Sequence, residues 1–359
     1  MSSFRLEPNP QPVAPEERAK RLIDPGFGRV FTDHMAIAQY DEGEGWHDAR
    51  ITARHALTMD PAASVLHYAQ EIFEGLKAYS RPNGGAALFR PGANARRFNA
   101  SARRMAMPDL PEAMFLDSIR ALVRADIGWI PPGEDGALYL RPFMFASEVF
   151  LGVKPAARYL YIVMASSVGA YFKGAPSVSL WVTREYTRAA PGGTGAAKCG
   201  GNYATSLIAQ AEAIRNGCDQ VVFLDAVERR WVEELGGMNI FFVFDDGSLA
   251  TPPLGGTILA GITRDSILTL ARDLGLTVRE APYAIEQWRA DAESGRLTEA
   301  FACGTAAVVT AIGSVKGAEG GFAIGGQSVG PVTQRIRETL VAIQRGKAPD
   351  PHHWVEEIA

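Results

Sequence analysis

Two strand-like runs, RYLYIVMASS (158–167) and SVSLWVT (177–183), flank the turn-rich piece YFKGAPS (171–177). Aromatic and β-branched residues stiffen the runs, while Gly, Pro and Ser between them punctuate the chain. This break constrains the fold more than any other feature, because strands and helices recur on both sides of it. Upstream, ALYLRPFMFAS (137–147) also reads as a strand. ARRFNASARRMAM (95–107) is helix-compatible, and FLDSIRALVRADI (115–127) places Phe115, Ile119, Leu122 and Val123 at helical spacing. Downstream, NYATSLIAQAEAIRNG puts Leu207, Ile208, Ala211 and Ile214 on one helical face, with Asn202 as N-cap and Gly217 just past the end. QVVFLD and NIFFVFDDGSLAT suggest strands, the latter turning at Asp-Asp-Gly. GITRDSILTLARDLG (261–275) reads as a capped helix. The expected fold class is α/β, or mixed α+β, in two domains. The first would span 1–170 and the second 178–359, with 171–177 as the interdomain loop.

A chain of 359 residues suits two domains with buried cores, at about 150 residues each. Net charge is −4, which gives no support to nucleic-acid binding or to a polybasic membrane role. No apolar run approaches the ~18 residues that span a bilayer, and the N-terminal MSSFRLEPNPQPVAPEERAK lacks the apolar core of a signal peptide. A cytoplasmic protein is expected. Cys199, Cys218 and Cys303 are too few and scattered for a disulfide framework, and neither CxxC nor HExxH occurs, so no metal is expected.

The segment PGGTGAAKCGGNYA (191–204) carries one lysine in a long uncharged setting. Every position from Ala189 to Ala211 other than Lys198 is uncharged. An uncharged setting disfavours the ammonium form, and lysines tuned this way form Schiff bases or act as general bases. The charge gap alone is also compatible with a loop lysine whose counter-charges come from elsewhere in the fold. The neighbouring glycines allow close approach of a ligand and equally allow a mobile loop.

KCGGNYA, preceded by EYTRAAPGGTGAA, resembles the cofactor-lysine segment of the branched-chain amino acid aminotransferases, which are fold-type IV enzymes dependent on pyridoxal 5'-phosphate. FTDHM (31–35), LHYAQEIFEGLKAY (66–79), FRPGANARR (89–97), LYLRPF (138–143), VEELGGMN (232–239), TPPLGGTILAGITR (251–264) and FACGTAA (301–307) match the same family in order. The resemblance implies a smaller N-terminal α/β domain and a larger C-terminal domain that binds the cofactor. It implies transamination of leucine, isoleucine and valine with 2-oxoglutarate by a ping-pong mechanism through a Lys198 Schiff base, in a homodimer. A D-amino acid aminotransferase or an aminodeoxychorismate lyase of the same fold is the alternative, which the FTDHM and EIFEGLKAY stretches disfavour.

The resemblance also implies roles for individual positions. Lys198 would carry the cofactor and shuttle the proton of the substrate Cα. Tyr203 would hydrogen-bond the cofactor's phenolic oxygen, and Glu234 would face its ring nitrogen. Glu233 is the competing carboxylate, and strand alternation sends the two to opposite faces. Arg97, the Ile262–Thr263 helix start and Thr305 would hold the phosphate. Arg96, Arg103 and Arg104 read as surface charges. Phe27, Tyr68, Phe73, Tyr139 and Arg141 would line the substrate pocket, with Thr305 and Ala306 at the substrate carboxylate. Val153 would reach across a dimer. Gly237 stands where some relatives carry threonine, and CGTAAVV lacks the second cysteine of the animal relatives' CxxC pair.

Overall fold

The computed structural model describes residues 4–81, 84–169, 177–326 and 328–358, so the expected loop 171–177 lies outside the described residues except for its last position. The chain forms two compact units, Met1–Tyr171 with Ala197–Gly200 and Ile343–Ala359, and Phe172–Ala196 with Gly201–Ala342.

The first unit is built on a sheet of β1 (Arg5–Leu6), β2 (Val30–Asp41), β3 (Gly45–Ala53), β4 (Glu71–Phe73), β5 (Leu76–Ser80), β6 (Ala86–Phe89), β7 (Ala137–Ala146) and β8 (Arg158–Val168). Its order is β1-β3-β2-β8-β7-β5-β6, with β4 paired to β7, and all pairings except β1–β3 are antiparallel. Period-two alternation along β7 sends Leu138, Leu140 and Met144 into the core. It therefore leaves Tyr139 and Arg141 together on the opposite face. The same rule acts on β4, where Ile72 is in the core and Glu71 and Phe73 share the other face, opposite Phe145 and Phe143. Helices Pro91–Arg104 and Glu112–Ala125 bury Phe98, Phe115, Ile119, Leu122 and Val123 in this core. Each such side chain contributes about 1.5–3 kcal/mol by leaving water.

The second unit holds β9 (Val178–Thr183), β10 (Gln220–Leu224), β11 (Val232–Leu235), β12 (Asn239–Phe244), β13 (Leu249–Thr251), β14 (Val278–Glu280), β15 (Leu297–Gly304), β16 (Val308–Gly317) and β17 (Gly320–Ala323). The order is β11-β10-β9-β16-β15-β12-β13-β14, with β17 added to β16. Helices Ile262–Asp273 and Ile285–Ser294 belong to this unit, as does helix Pro331–Gln344 up to Ala342. β12 is buried along its whole length, and its Phe242 packs on Tyr283 and Trp288.

Two stretches far along the chain pack with the first unit. β18 (Val355–Ile358) adds antiparallel to β6 and buries Ile358 in its core. Ala197 and Cys199 are buried in the same core. These long-range contacts leave no local mark in the sequence.

One periodicity reading is corrected. The stretch expected as a single helix from Asn202 is two, Gly200–Ala204 and Leu207–Arg215, with Asn202 inside the first and Ser206 at the N-cap position of the second, its hydroxyl donating to the Asn202 carbonyl. Its apolar face does not enter the core of its own chain: Leu207, Ile208 and Ile214 are 67%, 48% and 65% exposed, while Ala209 and Ala213 are buried. Periodicity identifies an apolar face but not what covers it.

Candidate active site

In the first unit, Lys198 sits beside residues from β4, β7 and helix Pro91–Arg104. Its Nζ lies 4.8 Å from the Phe73 ring centroid, and the Arg141 guanidinium lies 4.7 Å from the same centroid. Arg141 also donates to the Tyr139 hydroxyl at 3.1 Å, and the Phe27 ring meets Tyr139 edge-on at 4.9 Å. Burial pushes the Lys198 amine down to about 8, the Arg97 guanidinium pushes the same way, and Glu74 opposes them. The charge gap in the sequence thus has its physical counterpart in a desolvated amine.

Arg97 grips Glu74, which follows directly on β4, with Nε–Oε1 at 2.7 Å and Nη2–Oε2 at 2.8 Å. Glu74 is fully buried and also accepts from Asn94 Nδ2 at 2.7 Å and from the Gly75 amide at 3.1 Å. Burial opposes the charge on Glu74, but the Arg97 guanidinium outweighs it and holds the carboxyl below the usual carboxylate range. Asn94, Arg97 and Ser101 recur at helical spacing, so one stripe of helix Pro91–Arg104 faces this cluster. Arg96, Arg103 and Arg104 are exposed, in keeping with surface charges.

Tyr68 and Val153 stand apart from that cluster. Tyr68 is 38% exposed and its hydroxyl donates to the Leu151 carbonyl, and Val153 is 87% exposed.

The second unit gathers the remaining residues. Glu234 on β11 is 2% exposed, paired with the Arg188 guanidinium, and accepts from Asn239 Nδ2 at 3.2 Å. Glu233 is partly exposed and accepts from the Thr257 hydroxyl instead. Alternation separates the two carboxylates as expected. Asn239 also donates to the Leu259 carbonyl at 3.1 Å, which links Glu234 to the turn before helix Ile262–Asp273. No side chain caps that helix, whose N-cap is Gly261. Ile262 and Thr263 form the first turn of that helix, whose dipole points its positive end toward this turn. Thr305 and Ala306 occupy the turn after β15, and Cys303 on β15 is buried, with burial pushing its thiol up. Gly237 lies against the Tyr203 ring, where a Cβ would stand 3.4 Å from it.

Arg188 escaped the sequence reading. It is 6% exposed and donates to the Thr257 carbonyl at 2.9 Å and the Gly195 carbonyl at 3.2 Å, besides pairing with Glu234. A Cβ on Gly195 would collide with the Thr257 backbone, so this glycine is what lets the two segments approach. Thr194 and Asn202 bond one another, side chain to side chain at 2.7 Å and Asn202 Nδ2 to the Thr194 carbonyl at 2.8 Å. The only sequence sign of Arg188 is that it is the last charge before the uncharged stretch.

Residues 71–315 match the family model of the class IV amino-transferases. A Streptomyces coelicolor protein named as a probable branched-chain-amino-acid aminotransferase is 55% identical, the match covering 99% of each chain. The chain belongs to this aminotransferase family. Among solved structures, the branched-chain amino acid aminotransferase of Escherichia coli superposes with a TM-score of 0.74 at 30% identity, covering 90% of this chain and 100% of that one. The branched-chain aminotransferase of the archaeon Thermoproteus uzoniensis, solved with norvaline, superposes at 0.75 with 28% identity, covering 91% and 100%. The mixed α/β fold with two sheets is that of the fold-type IV aminotransferases.

Proposed function

We propose that this aminotransferase uses pyridoxal 5'-phosphate to transfer the amino group of leucine, isoleucine or valine to 2-oxoglutarate, giving branched-chain 2-oxo acids and L-glutamate. The observation that carries the reading is the desolvated Lys198 amine, at about 8, beside Phe73, Tyr139 and Arg141. The donor chemistry fits the cofactor: an amine for its aldehyde, a half-buried arginine for its phosphate, and a buried carboxylate for its ring nitrogen. When bound, the cofactor supplies an electron sink for the substrate Cα and carries nitrogen between the half-reactions.

Each residue then has a task. Lys198 Nζ attaches the cofactor and moves the proton at the substrate Cα. Arg97, the Ile262–Thr263 amides and Thr305 hold the phosphate, and Tyr203 the phenolic oxygen. Glu234 serves the ring nitrogen, with Arg188 as its buried counter-charge. Phe27, Phe73 and Tyr139 offer an apolar wall to branched side chains. Arg141 and Tyr139 receive the second carboxylate of glutamate, and the Thr305–Ala306 turn receives the α-carboxylate. The supporting sign at Arg141 is a buried Nε without a hydrogen-bond partner, which an incoming anion satisfies.

The enzyme is proposed to be cytoplasmic and homodimeric, with Tyr68 in the substrate pocket wall and Val153 contributing across the pair. Among the described residues no helix is long and apolar enough to cross a membrane. Support for the pair is the run of exposed apolar residues Leu66, Val149, Leu151 and Val153, at 59%, 55%, 61% and 87%.

A panel of amino donors tests the substrate assignment. With 2-oxoglutarate present, L-leucine, L-isoleucine and L-valine are expected to yield glutamate, and D-alanine is not. Glutamate from D-alanine but from no branched-chain L-amino acid would reverse the assignment.

A further inference from the structure

Lys198 can deliver a proton reproducibly only if its own peptide is fixed, because several rotatable bonds separate its backbone from its amine. The peptide is fastened on every side. The Lys198 amide donates to Ser101 Oγ at 2.9 Å, and its carbonyl accepts from the Phe73 amide at 2.9 Å. Two residues on, the Gly200 amide donates to Glu71 Oε1. Ala197 and Cys199, on either side, are anchored in the core. A Cβ on Gly200 would overlap the Glu71 carboxylate, which gives this glycine of the KCGG run a specific reason.

Building on the transamination reading above, we propose that Ser101 and Glu71 are positioning residues, which clamp the Lys198 peptide so that its amine is aimed at the substrate Cα. Three observations favour a functional clamp over ordinary loop fastening. Ser101 is 1% exposed and shares its helix stripe with Asn94 and Arg97, so one rigid helix registers both the phosphate arginine and the lysine. Glu71 and Phe73 share a face of β4, so one strand grips the segment at both Lys198 and Gly200. Glu71 is only partly exposed, with burial pushing its carboxyl up, so its bond to the Gly200 amide is shielded from competing water. Phe73, whose ring lies beside the Lys198 amine, is thereby registered to it by backbone as well.

The test uses the cofactor-loaded enzyme and the variants Ser101→Ala, Glu71→Leu and Glu71→Gln. Ser101→Ala and Glu71→Leu are expected to lower kcat with L-leucine by about tenfold or more, as a misplaced reacting group does. KM for both substrates is expected to stay within about twofold, since ground-state binding is untouched. Visible circular dichroism per bound cofactor is expected to change in these two variants, because ring orientation follows Lys198. Glu71→Gln keeps an oxygen for the Gly200 amide and is expected to retain most of kcat and the parent dichroism. A loss of thermal stability with kcat and dichroism unchanged would mean a merely structural role and overturn the clamp. Glu71→Gln behaving like Glu71→Leu would also overturn it, by assigning the effect to charge. A parent enzyme that forms no glutamate would refute the substrate assignment, while the dichroism comparison still decides the clamp.

Discussion

Lys198→Ala is expected to abolish glutamate formation, with kcat falling at least about 10³-fold, as befits loss of the group that moves the proton at the substrate Cα. Fold stability is expected to hold or rise. The amine is desolvated and its value drawn down to about 8 by burial and by Arg97, so its charged form is a burden on the folded state. Because the folded-state value lies below the ordinary 10.5, Lys198 weakens the fold below about pH 8, and the penalty fades as pH rises toward 10.5. Chemical denaturation at pH 7 beside the activity assay separates the two effects. A variant retaining more than about a tenth of parental kcat would remove Lys198 from the mechanism.

Glu234→Gln is the second large effect, and it acts on both activity and stability. Glu234 and Arg188 are each at most 6% exposed and face one another. Removing one charge of a buried pair leaves the other uncompensated and costs about 3 kcal/mol. The denaturation midpoint should fall accordingly. Loss of the anion serving the ring nitrogen should lower kcat by about 10²-fold, the scale of losing one preorganised electrostatic contact. The double variant Arg188→Met with Glu234→Gln separates the two roles. It should recover much of the stability, because the stranded charge is gone, and none of the activity. Recovery of activity with stability would show that Glu234 serves only the fold.

Legibility in the sequence followed the range of the interactions. The helix Glu112–Ala125 could be read from periodicity, and the strands β7 and β8 from their aromatic and branched residues, since both are local properties. Lys198 could be suspected because an uncharged neighbourhood in sequence became a desolvated one in space. Glu234 needed the ordered motifs, since alternation says that Glu233 and Glu234 part but not which of them turns inward. Ser101 and Glu71 gave no signal, and Arg188 only its place at the edge of the uncharged stretch, because these residues look the same in sequence whether solvated or buried against a distant peptide. Leu207, Ile208 and Ile214 gave the wrong one. Their apolar stripe is real, yet within the chain it stays open to solvent.

The central claim is that Lys198 is the cofactor lysine, and this chain contains its own control. Lys77 on β5 is also buried, and burial together with Arg345 draws its amine down to about 8, the same value as Lys198. Low basicity alone therefore does not select between them; the surroundings do. Phe73 and Arg141 accompany Lys198, whereas Lys77 on β5 pairs across the sheet with Tyr139 and is tuned by Arg345 and Asp135. Borohydride treatment of the pyridoxal phosphate-loaded enzyme, followed by peptide mass spectrometry, reads the modified residue directly. The account predicts the phosphopyridoxyl group on Lys198 in the peptide containing KCGGNYA. A label on Lys77, or one spread over surface lysines with Lys198 unmodified, would contradict it.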